Sequence, residues 1–208
     1  MRREAPGAAG LVEYAVATVT LPGELESGDR HIVIPTAAGT LIAVVDGLGH
    51  GTEAAEAARV AAETLENCAE ESVIALVRRC HKQMETTRGA VMSLASFHRE
   101  DHTVTWLSVG NVEGVLLHTN EQTNPPREHI VMRGGVVGFR LPPLQAVVIP
   151  VSAGDILIFA TDGIRSGFDD GLNIHAPLQH LADTICSQYT KGTDDALVLV
   201  ARYLGDGP

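Results

Sequence analysis

The chain has 208 residues, 45% of them hydrophobic and 20% charged, which is the composition of an ordinary globular protein. Its formal net charge of −11 argues against a nucleic-acid partner, because no basic stripe is available to displace counterions from phosphates. No apolar run reaches the roughly 18 residues of a membrane helix, and the N-terminus lacks the apolar core of a secretory signal, so we expect a cytoplasmic protein without a membrane partner.

The first half of the chain predicts three strands followed by two helices. Residues 11–20 alternate and are rich in β-branched side chains, and HIVIP and TLIAVVD predict two more strands around the short PTAAGT connection. After the GLGHG loop, an alanine-rich segment predicts a helix that begins near Thr52. Ser72 is a suitable N-cap for a second helix over SVIALVRRCHKQMET.

From Gly89 onward the pattern becomes that of antiparallel strands. Three alternating runs, AVMSLASFHRE, HTVTWLSVG and VEGVLLHT, are typical of a β-meander. NEQTNPPREH predicts a polar loop, and IVMRGGVVGFRLPP holds too many Gly and Pro residues for a regular central strand. QAVVIPV and DILIFATD predict strands joined by the turn SAGD, before a helix over PLQHLADTICSQYT and a last strand over ALVLVARYL.

This layout predicts an α+β fold rather than the strict strand–helix alternation of a doubly wound sheet. We expect two antiparallel sheets packed together, with helices outside them, in a single domain over residues 1–208. Cys68, Cys80 and Cys186 are odd in number and far apart, so we expect buried or idle thiols rather than a disulfide or zinc framework.

Acidic residues recur where predicted strands begin or end. Asp46 and Asp162 each follow an apolar run and precede a glycine, and the pair Asp194-Asp195 lies just before another apolar run. A single Asp-Gly is usually the start of a turn. Three carboxylates delivered by strand ends could instead converge on hard cations such as Mg²⁺ or Mn²⁺, which prefer oxygen ligands. The repetition therefore favours a metal-assisted hydrolase, with Asp29 as a fourth candidate that alone would be an ordinary loop aspartate.

The glycine-rich GLGHG loop has a competing interpretation as a nucleotide-binding loop. Gly47, Gly49 and Gly51 have the spacing G-x-G-x-G, whereas the dinucleotide fingerprint is G-x-G-x-x-G with an acid about 20 residues after it. No G-K-[ST] occurs, which excludes a P-loop. A nucleotide-binding enzyme is therefore the weaker hypothesis, and a metal site in which the Gly47 carbonyl ligates a cation is the stronger one.

Four further side chains have two interpretations each. His50 could bind phosphate or transfer a proton, since imidazole titrates near neutral pH, or it could be an exposed loop residue. Arg165 could contact a phosphate or be a surface side chain. Arg88 is predicted to end the second helix, and Asn111 to be an ordinary turn residue.

Six short motifs follow one another in the order found in metal-dependent serine/threonine protein phosphatases: GD at 28–29, VDGLGHG at 45–51, RGA at 88–90, SVGN at 108–111, TDGI at 161–164 and DDALVLV at 194–200. The chain resembles this PPM family over nearly its whole length, and most of all its bacterial SpoIIE, RsbU and RsbX branch. The absence of an attached sensor region within the sequence, together with the RGA and SVGNV segments, resembles the stressosome phosphatases of the RsbX type.

The resemblance implies an αββα sandwich with two Mn²⁺ or Mg²⁺ ions and a possible third. It implies that Asp46 bridges the metals, that the Gly47 carbonyl, Asp162 and Asp194 are further ligands, and that Asp29 acts near the metals through water. Asp195 occupies the position of an asparagine in many relatives. The phosphate-binding arginine of eukaryotic members has no clear match.

The activity that the resemblance implies is hydrolysis of phosphoserine or phosphothreonine by a metal-bound water. The implied partners are phosphorylated STAS-domain proteins of the stressosome, whose dephosphorylation would reset a bacterial stress signal. The alternative is a phosphatase-like module without useful turnover that binds and regulates the same STAS-domain partners.

Overall fold

The computed structural model describes residues 1–3, 6–120 and 122–205. Within these ranges the helices are α1 Thr52–Asn67, α2 Val73–Gln83 and α3 Leu178–Tyr189. The strands in the same ranges are β1 Arg2–Arg3, β2 Gly7–Ala9, β3 Val12–Val19, β4 Asp29–Pro35, β5 Gly39–Gly47, β6 Ala90–His98, β7 Thr103–Val109, β8 Glu113–Leu117, β9 Arg127–His129, β10 Val147–Pro150, β11 Ile156–Ala160 and β12 Ala196–Tyr203.

The strands form two antiparallel sheets. The seven-stranded sheet has the order β1-β3-β12-β11-β8-β9, with β2 also paired to β3, and the five-stranded sheet has the order β10-β7-β6-β5-β4. Among the described residues, no helix combines the length and the apolar character that crossing a membrane requires. The predicted pair of antiparallel sheets is confirmed.

Three apolar layers hold the sheets and helices together. Side chains such as Ile42, Trp106 and Phe159 fill the space between the two sheets. A second layer joins the five-stranded sheet to α1 and α2, and a third joins the seven-stranded sheet to α3. Both faces of each central strand are therefore covered, which explains why β5, β6, β11 and β12 are nearly continuous apolar runs.

The starts of α1 and α2 follow from the residues that precede them. Helix α1 begins at Thr52, as predicted, after Gly51, whose positive φ of 73° lets the chain enter the helix abruptly. The hydroxyl of Ser72 accepts a hydrogen bond of 3.4 Å from the Ala75 amide, which confirms the predicted N-cap of α2. The small alanine side chains on the buried face of α1 allow the helix to lie close to β4 and β5.

The predicted β-meander is wrong for its third strand. Strands β6 and β7 pair with each other, but β8 pairs with β11 and belongs to the other sheet. The change of sheet occurs at Gly110, whose positive φ of 93° turns the chain and whose missing side chain leaves room for Val91. The strands on either side of the SAGD turn likewise lie in different sheets, because β10 pairs with β7.

Three short strands are absent from the sequence-based prediction. Strands β1 and β2 extend the edge of the seven-stranded sheet beside β3, and β9 lies within the segment predicted to be a polar loop. Each has only two or three residues, which is too short for an alternating pattern to be visible.

Candidate metal centre

The predicted acidic residues meet at one end of the sandwich. Strand β4 begins at Asp29, directly opposite Asp46 near the end of β5. Strand β11 ends two residues before Asp162, and its antiparallel neighbour β12 begins just after Asp195. The two sheets therefore deliver their carboxylates to the same end of the molecule.

Three of the aspartates line a single groove. Asp46, Asp162 and Asp194 share a groove of about 380 Å³. The rest of its lining comes from Val91 and from residues 48–49, 110–111 and 134–136. Asp29 does not line this groove; it is only 8% exposed and borders a neighbouring cavity beside β4. The structure thus brings Asp46, Asp162 and Asp194 together and places Asp29 beside them.

The concentration of carboxylates changes their protonation. The pKa of Asp46 is raised from 3.8 to about 9, chiefly by burial, with the charges of Asp29 and Asp162 contributing in the same direction. Burial also raises the pKa of Asp29, to about 8, although its hydrogen bond from Thr161 opposes the shift. The pKa of Asp194 is raised as well, chiefly by burial. A divalent cation would favour the ionised carboxylates and so relieve this repulsion.

Thr161 connects the two halves of the site. It is 1% exposed and lies directly after β11, and its hydroxyl donates a hydrogen bond of 2.8 Å to Asp29 Oδ2. The same hydroxyl accepts a hydrogen bond of 2.9 Å from the Leu197 amide on β12. Its two partners hold the hydroxyl in one orientation, which in turn orients the Asp29 carboxylate.

Asp162 is held by two residues that the sequence analysis did not connect with it. Asn111 Nδ2 donates a hydrogen bond of 2.8 Å to Asp162 Oδ2, and Asn111 itself lines the groove. The Lys191 ammonium donates to the backbone carbonyl of Asp162. Asn111 was predicted to be an ordinary turn residue; its position two residues after the end of β7, at the site end of the sheet, is the signal that could have identified it.

Asp195 has a structural task that the sequence did not reveal. Its carboxylate accepts hydrogen bonds from the Leu21 amide, at 2.8 Å, and from the Gly28 amide, at 2.7 Å. Asp195 is only 3% exposed. It therefore holds both ends of the loop 21–28, which leads directly into Asp29.

The glycines after Asp46 and Asp162 permit close packing of backbone against backbone. A side chain at Gly47 would clash with the carbonyl oxygen of Ala54 in the first turn of α1. A side chain at Gly163 would clash with the carbonyl oxygen of Asp195. Glycine at both positions thus lets neighbouring elements approach the aspartates closely. The Gly47 carbonyl lies beside Gly28, where an added Cβ would stand 3.3 Å from it.

The three basic candidates, His50, Arg165 and Arg88, have different hydrogen-bond and ion-pair partners. His50 Nδ1 lies 2.6 Å from Glu24 Oε1, and 58% of the imidazole side chain is exposed. The Arg165 guanidinium donates to the carbonyl oxygen of Gln188 at the end of α3, so the structure does not bring it to the aspartates. Arg88 does not end helix α2, which stops at Gln83; it pairs with Glu53 and contacts the groove wall beside Gly49.

The donor atoms at this end of the molecule suit a hard cation. They are carboxylate oxygens, the ligand type that Mg²⁺ and Mn²⁺ prefer, and a bound cation would favour their ionised form. Across residues 1–3, 6–120 and 122–205, no three His, Cys, Asp or Glu side chains are grouped so as to enclose one ion by themselves. Protein sites for Mg²⁺ commonly use only one or two carboxylates and complete the coordination shell with water, so such a site does not need three enclosing side chains.

Comparison with known proteins gives matches over most of the chain. Residues 36–204 match the family model described as Stage II sporulation protein E (SpoIIE). The phosphoserine phosphatase RsbX of Bacillus subtilis (strain 168) is 31% identical over 105 residues, which cover 50% of this chain and 53% of that protein. The chain thus spans about half the length of the curated relative that it matches.

Solved structures match the fold more completely. A chain from a structure described as "The bacterial stressosome: a modular system that has been adapted to control secondary messenger signaling" is 27% identical with a TM-score of 0.83, over 92% of this chain and 99% of that one. A crystal structure of RsbX in complex with magnesium is 21% identical with a TM-score of 0.85, over 97% and 100% of the two chains. These matches confirm the predicted α+β sandwich.

Proposed function

Because the chain belongs to the SpoIIE family, we propose that it is a protein phosphatase that hydrolyses phosphoserine or phosphothreonine with bound divalent cations. The observation that supports this proposal is the presence of Asp46, Asp162 and Asp194 along one groove, each from a different strand end. We treat residues 1–208 as one catalytic domain. The sequence similarity to the phosphoserine phosphatase RsbX points to the same chemistry.

In this proposal the carboxylates of the groove hold the cations. The direct ligands would be Asp46, Asp162, Asp194 and the Gly47 carbonyl. Asp29, which borders the neighbouring cavity, would act through water. Two Mn²⁺ or Mg²⁺ ions, with a possible third, would supply a water that is acidic near neutral pH and would offset charge on the phosphoryl oxygens.

The protein's own groups prepare the groove for that chemistry. Asn111 holds Asp162 Oδ2, and Thr161 holds Asp29 Oδ2, so both carboxylates have defined orientations. His50 remains the stronger proposed phosphate contact, because residues 48–49 of its loop line the groove. Arg165 remains the weaker one, because its guanidinium would have to release the Gln188 carbonyl to reach a phosphate.

We further propose that the substrates are phosphorylated STAS-domain proteins of a stressosome. The support is the resemblance to phosphatases of the RsbX type and the 27% identity to a chain from a stressosome study. The protein would then reset a stress signal by removing the phosphate.

The experiment that tests the function is hydrolysis of p-nitrophenyl phosphate and of a phosphoserine peptide in Mn²⁺, followed by EDTA. We expect turnover that EDTA abolishes and that Asp162→Asn reduces by at least about a hundredfold, as loss of a group that acts in the transition state does. Asp101→Asn, at the opposite end of the sandwich in the β6–β7 hairpin, is the matched control. A folded wild-type protein without turnover would favour the non-catalytic binding module.

A further inference from the structure

A glycine-rich segment, residues 129–148, runs beside the candidate metal centre. Its residues 134–136 line the same groove as Asp46, Asp162 and Asp194. The Arg133 carbonyl accepts a hydrogen bond of 2.8 Å from the Gly110 amide, and Val137 exchanges two backbone hydrogen bonds with Ala90. The 129–148 segment is therefore fastened to the site ends of β6 and β7.

This segment exposes an unusual amount of apolar surface. The described residues include eight large hydrophobic side chains that are exposed, and five of them lie here: Val131, Met132, Phe139, Val147 and Val148. Phe139 is 82% exposed and Val131 is 72% exposed. Exposed apolar side chains that are grouped, rather than scattered, mark interaction sites. The Arg133 guanidinium donates to the side chain of Gln145, which joins the beginning of the segment to its end.

The exposure of Phe139 is built into the local backbone. Val136 and Arg140 exchange two backbone hydrogen bonds of 2.8 Å and close a tight turn. Gly138 has a positive φ of 96°, and its amide donates a hydrogen bond of 3.0 Å to His81 Nδ1. The turn is thus anchored to α2, and Phe139 projects from a defined position rather than from an unstructured loop.

The charge of the segment is opposite to that of the rest of the protein. The chain carries 26 acidic residues and a net charge of −11, yet residues 129–154 contain no Asp or Glu and include Arg133 and Arg140. The acidic surface of the rest of the protein would repel a phosphorylated, acidic partner. The 129–148 segment, beside the groove, would instead present positive and apolar side chains to it.

We propose that the 129–148 segment is a docking surface for the acidic and apolar residues that flank the phosphorylated serine or threonine of the protein substrate. The inference rests on the proposed function, since it takes the groove to be the place where the phosphate is hydrolysed. Phe139 and Val131 would contact apolar flanking residues, and Arg140 would pair with acidic ones. The 129–148 segment would then select substrates by the residues around their phosphoserine or phosphothreonine, while the aspartates of the groove would serve hydrolysis of the phosphate.

The test compares two phosphoserine peptides and one small substrate. One peptide carries leucine and glutamate around the phosphoserine, the other carries glycine and lysine, and p-nitrophenyl phosphate has no flanking residues. We expect wild-type kcat/KM to be about tenfold higher for the leucine and glutamate peptide. Phe139→Ser and Arg140→Glu should each remove most of that preference by raising KM, with p-nitrophenyl phosphate turnover unchanged.

Leu204 is an exposed leucine just after β12, at the end far from the groove, so Leu204→Ser is the matched control and should keep the preference. Equal turnover of both peptides by the wild type would overturn the docking surface while leaving the phosphatase activity standing. A wild-type dimer that becomes a monomer in Phe139→Ser would also overturn it, since the segment would then bind a second copy of this chain. An equal loss of p-nitrophenyl phosphate turnover in Phe139→Ser or Arg140→Glu would overturn it too, since the segment would then affect hydrolysis itself.

The docking surface can also be tested without turnover, by fluorescence anisotropy of the labelled peptides in EDTA. Preferential binding of the leucine and glutamate peptide, weakened by Phe139→Ser, would support docking even if no hydrolysis occurs. Binding of both peptides with equal affinity would overturn it. Failure of the docking surface and failure of the proposed function are thus separate results.

Discussion

Thr161 and Asp29 belong to different sheets and are joined by a hydrogen bond of 2.8 Å from the threonine hydroxyl to Oδ2 of the aspartate. Thr161 immediately precedes Asp162, so the same short stretch that carries a groove carboxylate also orients Asp29, a carboxylate beside the groove that is 133 positions earlier in the chain. The relative positions of the carboxylates therefore depend on a polar contact between the sheets as well as on apolar packing.

Replacing Thr161 with valine keeps the shape and removes the hydroxyl. It leaves Asp29 Oδ2 without its donor and the Leu197 amide without its acceptor, so we expect the free energy of unfolding to fall by about 1–3 kcal/mol. We also expect weaker Mn²⁺ binding by calorimetry. Thr161→Ser retains the hydroxyl and should restore Mn²⁺ affinity close to that of the wild type; a valine variant with wild-type Mn²⁺ affinity would contradict this role for the hydroxyl.

Asp46→Asn should stabilise the protein in EDTA and remove its response to Mn²⁺. The asparagine has nearly the same shape but is neutral without taking up a proton, so the cost of burying an acidic group beside other carboxylates disappears. We expect the Tm in EDTA to rise by about 2–4 °C, the shift that about 1 kcal/mol produces in a domain of this size. Added Mn²⁺ should raise the Tm of the wild type and of Asp101→Asn, but not of Asp46→Asn. An equal Mn²⁺ shift in all three proteins would show that Asp46 is not a ligand.

The stability of the protein in EDTA should fall as the pH rises. Burial raises the pKa of Asp29 to about 8 and that of Asp46 to about 9, from 3.8 in the unfolded chain. At pH values between the unfolded and the folded pKa of each group, the folded protein holds a proton that the unfolded chain has released. The free energy of unfolding therefore decreases as the pH rises through this range. Urea unfolding at intervals from pH 5 to pH 9 measures the slope.

The double variant Asp29→Asn, Asp46→Asn is the control for this pH dependence, and its slope should be flatter. Saturating Mn²⁺ should flatten the wild-type slope too, because a cation favours the ionised carboxylates. Wild-type stability that stays constant or increases across this range, relative to the double variant, would contradict the raised pKa values.

Asp195→Asn should loosen the loop 21–28. An amide can accept only one of the two backbone hydrogen bonds that the carboxylate accepts, and it brings a donor towards the other amide. We expect the free energy of unfolding to fall by about 1–3 kcal/mol. Cleavage by a glutamate-specific protease at Glu24 or Glu26 should become faster than in Asp101→Asn. A cleavage rate equal to that of the control would mean that Asp195 does not hold the loop.

Only one of the three thiols should react readily in the folded protein. Cys80 and Cys186 are buried, and burial raises the pKa of Cys80 to about 12 and that of Cys186 in the same direction. Cys68 is half-buried. Titration with a chromogenic disulfide should therefore detect one fast thiol in the native state and three in urea. Two or more fast thiols without urea would contradict this arrangement.

The sequence was sufficient to predict the elements with a long periodic pattern. The helices α1, α2 and α3 and the long strands β3, β5, β6 and β12 lie where their apolar spacing placed them. The sheet to which β8 belongs could not be predicted, because an alternating run reads the same whichever partner it pairs with. That choice depends on the turn at Gly110 and on the packing beyond it.

Some residues of the candidate site could likewise be predicted from sequence, and others could not. Asp46, Asp162 and Asp194 could be grouped from sequence, because each lies at a strand end. Asn111 and Thr161 lie in short motifs near strand ends, but their hydrogen-bond partners could not be predicted. Nor could the role of Lys191, since each of these bonds joins residues that are close only in the folded chain. Arg165 also lies close to an aspartate in sequence, yet its guanidinium donates a hydrogen bond to the carbonyl of Gln188 in α3.

The two sheets contribute equally to the acidic end of the molecule: Asp29 and Asp46 come from the five-stranded sheet, and Asp162 and Asp194 from the ends of seven-stranded-sheet strands. If these carboxylates are the metal ligands that we propose, a chain in which only one sheet has formed would carry half of them. Cation binding, and with it the proposed hydrolysis, would then require both sheets to have docked.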